Sequence, residues 1–271
     1  MQGWSWQANG GAIAVAGSAA QILSCVFINC TAKEVGGSIW VSGFVFYPRP
    51  AAPASIEISQ CTFSKTSAKQ GGAIGMLMKT TGTIDISTFL DCTSQEEGGA
   101  VHINNCVHAS VTDCQFAGNV AHGAGGGMSI QNKAQVSISS CTFEANTAQG
   151  NLGGGAMFVS SAKITLSINT FLHNAAPAGG GGALRWEGED VPNVVMTCEA
   201  GKMLSLMNGM SYCVPCDVST STCSTSSNAT VAPLAEHGHW ICHRAHPNPS
   251  PSDGGNYAQY GPCGRIVVHS C

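Results

Sequence analysis

A six-residue phrase opening on paired glycines returns seven times along the chain, and this recurrence limits the possible folds more than any other feature. The copies are Gly10-Gly11-Ala12-Ile13-Ala14-Val15, Gly36-Gly37-Ser38-Ile39-Trp40-Val41, Gly71-Gly72-Ala73-Ile74-Gly75-Met76, Gly98-Gly99-Ala100-Val101-His102-Ile103, Gly125-Gly126-Gly127-Met128-Ser129-Ile130, Gly154-Gly155-Ala156-Met157-Phe158-Val159 and Gly181-Gly182-Ala183-Leu184-Arg185-Trp186. They begin 26, 35, 27, 27, 29 and 27 residues apart, and the long interval holds an insertion, Gly43-Phe44-Val45-Phe46-Tyr47-Pro48-Arg49-Pro50. A fixed period of about this size marks a solenoid, a propeller or another array, whose units bury their apolar sides only by stacking on one another.

A second phrase recurs in each unit, clearest in Val136-Ser137-Ile138-Ser139-Ser140-Cys141-Thr142-Phe143-Glu144-Ala145-Asn146-Thr147-Ala148, where apolar and small polar residues alternate before a turn. Two short strands per unit are therefore expected. A propeller blade needs four strands in about 40 residues and a leucine-rich repeat needs regularly spaced Leu; neither describes this glycine-rich unit. The predicted fold is all-β, a parallel β-helix of about seven coils stacked at ~4.8 Å and some ~30 Å long. Ile13, Ile39, Ile74, Val101, Met128, Met157 and Leu184 would form one inward row. Val15, Val41, Met76, Ile103, Ile130, Val159 and Trp186 would form a second, and Phe27, Phe63, Phe89, Phe116, Phe143 and Phe171 a third. Three residues after each Phe stand Cys30, Thr66, Cys92, Asn119, Asn146 and Asn174, where stacked Asn side chains can bond one another and the turn backbone. The glycine pairs suit tight corners that leave no room for a Cβ.

The alternating Gly-Gly-Ala-Ile and Phe-x-x-Asn phrases, the latter complete in Phe116–Asn119, Phe143–Asn146 and Phe171–Asn174, resemble the repeats of the chlamydial polymorphic outer membrane proteins and related right-handed β-helix surface proteins of protists and algae. The resemblance covers roughly residues 10 to 186 and implies a right-handed solenoid acting at a cell surface, often in adhesion. From about Val191 the repeat gives way to a Ser-, Thr- and Pro-rich segment, so residues 1–190 are read as the β-helix and 191–271 as a small cysteine-rich module. Cys198-Glu199-Ala200-Gly201 and Ser211-Tyr212-Cys213-Val214-Pro215-Cys216 weakly resemble the cysteine-rich modules of ephrin and growth-factor receptors, which are stapled by disulfides.

Charged residues make up 10% of the chain and the net charge of -4 includes no basic run, which argues against nucleic acid as a partner. No apolar stretch approaches the roughly 20 residues of a spanning helix, so direct membrane insertion is not expected. Residues 1–10 lack the features of a signal peptide. Fourteen cysteines and the candidate N-glycosylation sequons at Asn29 and Asn228 nevertheless point to an oxidising, extracellular or cell-surface setting. The two observations are reconciled if the sequence is a piece of a longer secreted protein.

The row between the two inward rows of the glycine phrase is expected to face out, and it reads Ala14, Trp40, Gly75, His102, Ser129, Phe158 and Arg185. It carries no carboxylate, whereas polysaccharide-cleaving β-helices need clustered carboxylates with a nearby Lys or Arg. Glu57 and Asp85 are expected as rung neighbours, one acidic pair where a calcium ion seeks six to eight oxygens. Trp40, His102, Phe158 and Arg185 are candidate stacking platforms for a cell-surface glycan or protein, and the insertion with Phe44, Phe46, Tyr47 and Arg49 is a better candidate because projecting loops carry binding surfaces. The expected function is thus a non-catalytic structural or adhesive spacer with no cofactor. The alternatives are a carbohydrate-active enzyme and a zinc module in the tail, where Cys213, Cys216, His237, His239, Cys242, His243 and His246 supply suitable ligand types without the spacing of a known finger. Seven cysteines fall in the repeats. Cys25 with Cys61, and Cys114 with Cys141, share ladder positions in neighbouring coils, where buried free thiols are expected.

Overall fold

The glycine pair sets each coil's corner for two separate reasons, both visible at Gly98-Gly99. Gly98 adopts a left-handed backbone with φ of 65°. A Cβ on Gly99 would lie 2.0 Å from the carbonyl oxygen of Gly126 in the next coil, so the backbones meet there with no space for a side chain. Beyond the corner, the apolar alternation runs straight into a strand.

The computed structural model describes residues 8–43, 52–178 and 181–187, together with the backbone of Asn193–Thr197, Lys202–Met207, Met210–Pro215 and Asn228–Val231. Within residues 8–187 the chain winds through six full coils and enters a seventh at Leu184–Glu187. A middle coil contains four strands, Ile74–Leu77, Thr80–Asp85, Thr88–Leu90 and Thr93–Ser94. Equivalent strands of successive coils pair in parallel, giving four ladders named here in that order. The first ladder aligns Ile13, Ile39, Ile74, Val101, Met128, Met157 and Leu184 in register, as the repeat predicts.

The alternating second phrase is two strands rather than one. It bends where Ser24, Gln60, Ile86, Asp113 and Ser140 take left-handed φ angles of 46° to 56°, so the coil has more sides than the sequence pattern suggests. The residue after each bend points inward and satisfies the corner. The backbone N–H of Cys61 donates to Ser87 Oγ (3.1 Å), that of Cys114 to Cys141 Sγ (3.4 Å) and that of Cys141 to Asn169 Oδ1 (2.9 Å).

Six phenylalanines form a continuous stack through the core, with centroids 4.6 to 5.1 Å apart and planes within 7°. The coil repeat imposes this parallel geometry, since the rings stand on paired residues of the third ladder. Beside them the predicted asparagine row is a hydrogen-bonded ladder. Asn146 Nδ2 donates to Phe116 O and to Asn174 Oδ1, both at 2.9 Å, while its Oδ1 accepts from the N–H (3.1 Å) and Nδ2 (2.9 Å) of Asn119. Earlier in the same row, Thr66 Oγ1 donates to Cys92 Sγ at 3.3 Å.

All seven cysteines of residues 8–187 are free thiols, and five of them are buried. Burial pushes the Cys92 and Cys106 thiols up to about 11. Protonated at neutral pH, they serve the corners as small apolar groups with a weak donor. After the coils, Asn193–Thr197 pairs parallel to Lys163–Leu172 and antiparallel to Asn228–Val231, while Lys202–Met207 and Met210–Pro215 form an antiparallel pair. Among the described residues, no helix is long and apolar enough to cross a membrane.

Candidate functional site

From the second coil to the sixth, the first ladder's outer row does not face solvent; Ala14, in the first coil, is exposed. Trp40, His102 and Phe158 retain only 5%, 1% and 2% of their accessible surface. A further stack of backbone covers them: Val35 bridges Gln70, and Glu97 bridges Ala124, which bridges Gly153. These residues lead into the glycine pairs, and the corner they form lies over the first-ladder strand of the next coil. A Cβ on Gly75 would come within 2.2 Å of Val35 Cγ1, and one on Gly71 within 3.1 Å of His102 Cβ. The expectation that Trp40, His102 and Phe158 offer themselves to a partner is therefore corrected, because the chain's own corner segment occupies that side. Arg185 is partly exposed, but its guanidinium is held 2.9 Å from Glu187 two residues on.

Roofing has an electrostatic consequence at His102. Neither ring nitrogen makes a hydrogen bond within the protein, and the nearest carboxylate oxygen, on Glu97, lies 3.9 Å from Nδ1. Burial lowers the imidazole pKa to about 4, so the ring is neutral at physiological pH. The same burial raises the Glu97 carboxyl above its usual range, although a 2.7 Å hydrogen bond from Gln131 Nε2 partly opposes it.

The second ladder is open to solvent. It comprises Ala19–Leu23, Ala54–Ser59, Thr80–Asp85, His108–Thr112, Gln135–Ser139 and the first half of Lys163–Leu172. Strict alternation in these strands sends Ile22, Ile58, Ile84, Val111, Ile138 and Leu166 inward and leaves three rows outside. The middle outer row reads Gln21, Glu57, Thr83, Ser110, Ser137 and Thr165, aligned rung by rung. On one side of it run Ser55, Thr81, His108, Gln135 and Lys163; on the other run Ser59, Asp85, Thr112, Ser139 and Ser167. Most of this face is hydroxyl.

Between the first two of these rows, over the first four coils, lies a trough of about 600 Å³. Gln21, Glu57 and Thr83 form one wall; Ser55, Thr81 and His108 form the other. The floor is the inward-pointing set between them, Ala20, Ile56 and Gly82, whose small members expose backbone and apolar carbon. Gln21 Nε2 donates to Glu57 Oε2 at 2.7 Å, which fixes the orientation of both groups along the wall. Glu57 faces Thr83 across its rung and Asp85 faces Ser59, so the expected acidic pair is a diagonal one, offset by two residues. Among the described residues, no group of three or more His, Cys, Asp or Glu side chains is placed to hold a metal ion.

Gln21, Ser55, Thr81, Thr83 and His108 lie outside the glycine phrase and belong to no row that repeats one residue type. Their signal in the sequence is the period-two alternation of the second phrase, which turns every other residue outward. Asn29 and Thr31 of the first sequon are both exposed. Asn228 begins a strand whose backbone alone is described. Phe44, Phe46, Tyr47 and Arg49, and the tail histidines with Cys216 and Cys242, lie outside the described residues.

The coil count, the parallel register and the single wound topology agree with a comparison to known families, in which the description "right handed beta helix region" matches residues 8–195. No curated protein and no solved structure matches the chain. With more than two thirds of its length covered, the chain belongs to the right-handed β-helix family.

Proposed function

We propose that this protein is a non-catalytic β-helix of the extracellular or cell-surface environment, a rigid spacer whose second-ladder face contacts a cell-surface glycan or protein. One observation carries the reading: the first ladder is roofed by its own chain, while the second presents ordered polar rows to solvent over six coils. A solenoid of this kind is stiff because each coil is held by its neighbours, so an array on its surface keeps its spacing when a partner arrives. The exposed sequon at Asn29 and the likeness to chlamydial surface repeats support the location. Glu57 and Asp85, each opposite a hydroxyl residue, support binding over cleavage, which requires cooperating carboxylates.

Phe44, Phe46, Tyr47 and Arg49 stand in the insertion between the first- and second-ladder strands of the second coil, and they are the candidate for contact with a protein. The test is binding of the fluorescently labelled chain to intact cells, alongside incubation with pectin and alginate in the presence of Ca²⁺. Saturable binding without release of unsaturated or reducing ends is expected. Release of such ends, or no saturable binding to any surface, would overturn the reading.

A further inference from the structure

The geometry points to the trough over the first four coils as a binding site for a neutral linear glycan lying parallel to the solenoid axis. This rests on the proposed surface function and names the ligand class and the residues that hold it. The argument begins with shape. The trough crosses the strands Ala19–Leu23, Ala54–Ser59, Thr80–Asp85 and His108–Thr112, three rung intervals or ~14 Å, the length of a short oligosaccharide rather than of a single sugar. Its volume of about 600 Å³ falls in the range of specific small-ligand sites.

Chemistry then selects among extended ligands. A sugar ring has two apolar C–H faces and a rim of hydroxyls, and the trough matches both. Between the walls the strand backbone at Ala20, Ile56 and Gly82, whose side chains point inward or are absent, leaves a shallow floor against which a ring face can lie. The walls offer hydrogen-bonding groups at every rung. Glu57 accepts only, and with one oxygen engaged by Gln21 it keeps lone pairs for a vicinal diol. Ser55, Thr81 and Thr83 both donate and accept, so they suit hydroxyls in either orientation. The rung spacing makes these groups repeat in the direction in which a polysaccharide repeats.

Charge excludes the acidic alternatives. No Lys or Arg lines the trough, while the Glu57 carboxylate stands in its wall. A uronate or sulfated chain, or an anionic lipid surface, would meet like charge there without a cation to offset it. An extended peptide would instead seek unpaired backbone groups at a sheet edge. Of the four strands beneath the trough, Ala54–Ser59, Thr80–Asp85 and His108–Thr112 are paired on both sides; among the described residues Ala19–Leu23 alone keeps a free edge, which lies at the end of the trough and across its axis.

The experiment titrates the whole chain with neutral linear oligohexoses and, in parallel, with uronate and sulfated chains of matched length, read by calorimetry. Neutral chains should bind and acidic ones should bind more weakly. Glu57→Ala should lower the affinity for the neutral chain at least ~tenfold, as expected for loss of a charge-assisted hydrogen bond, and Thr83→Arg, which fills the trough from an exposed position, should abolish it. An unchanged thermal melt would confirm that both variants fold. Stronger binding of acidic chains, no binding of any neutral chain, or equal binding by Thr83→Arg would overturn the inference. Cell binding that persists in Thr83→Arg would remove the trough while leaving the surface function in place.

Discussion

Replacing Asn146 by Ala tests whether the corner ladder holds the coils together, because four hydrogen bonds converge on that buried amide. The substitution strips the Asn119 N–H of its partner and removes the bond to the Phe116 carbonyl. The Asn119 side chain still donates to Phe89 O at 3.1 Å, and Asn174 Oδ1 still accepts from the backbone of residue 146, so those two groups remain partly satisfied. An orphaned buried polar group costs about 1–3 kcal/mol, and two of them amount to about 4 kcal/mol. For a domain of this size that lowers the melting midpoint by about 8–16 °C. The chain supplies its own control. Thr66 occupies the same ladder position and places a hydroxyl in the row, so Asn146→Thr should recover about half of the loss. Midpoints from far-ultraviolet circular dichroism, with hydrogen exchange at Asn119 reporting the local effect, decide the matter. An Asn146→Ala midpoint within ~2 °C of wild type, or an Asn146→Thr variant less stable than Asn146→Ala, would refute the reasoning.

Three further outcomes are expected. His102 is buried and neutral, with its folded pKa pulled from 6.5 to about 4; between these values the unfolded chain binds a proton that the folded chain does not. Stability is therefore full above about pH 6.5 and falls by about 3 kcal/mol as pH drops toward 4. Glu97 works in the opposite sense, since its raised pKa adds stability at acidic pH that fades as pH rises through the folded value, and denaturant midpoints of His102→Phe against wild type should show a flatter acid limb. Gly99→Ala should cost more than about 4 kcal/mol and yield little soluble folded protein, because the new Cβ meets backbone of two neighbouring segments at 2.0 and 2.7 Å. Gly118→Ala should cost only about 1 kcal/mol, since Ala145 takes the same left-handed backbone one coil on and the nearest obstacle is the movable Asp91 carboxylate.

Ladders were legible in the sequence wherever the requirement acts on side-chain type. The Phe stack, the Asn row and the inward rows of the glycine phrase each demand one kind of residue at every coil, so the period exposes them directly. The roof was not legible, because Val35, Gln70, Glu97, Ala124 and Gly153 share no chemistry; they stack through backbone bridges. His102 consequently read as an exposed residue on an alternating strand. The bend within the second phrase was hidden for a related reason. Ser24, Gln60, Ile86, Asp113 and Ser140 adopt left-handed backbone although only Asp among them tolerates it readily, so the stacked neighbours impose the conformation and local preference does not signal it. The diagonal placement of Glu57 and Asp85 follows from the same blind spot, as the insertion after Gly43 obscures which residue of the second coil meets which of the third.

Differential modification of histidine by diethyl pyrocarbonate in the native chain, resolved by peptide mass, tests most directly whether the first ladder is closed and the second open. His102 lies under the roof and His108, six residues later, stands exposed at the rim of the trough. His108 is predicted to react at close to the rate of an unstructured peptide, while His102 stays unmodified until the chain is denatured. Equal reactivity of the two in the folded protein would contradict the account.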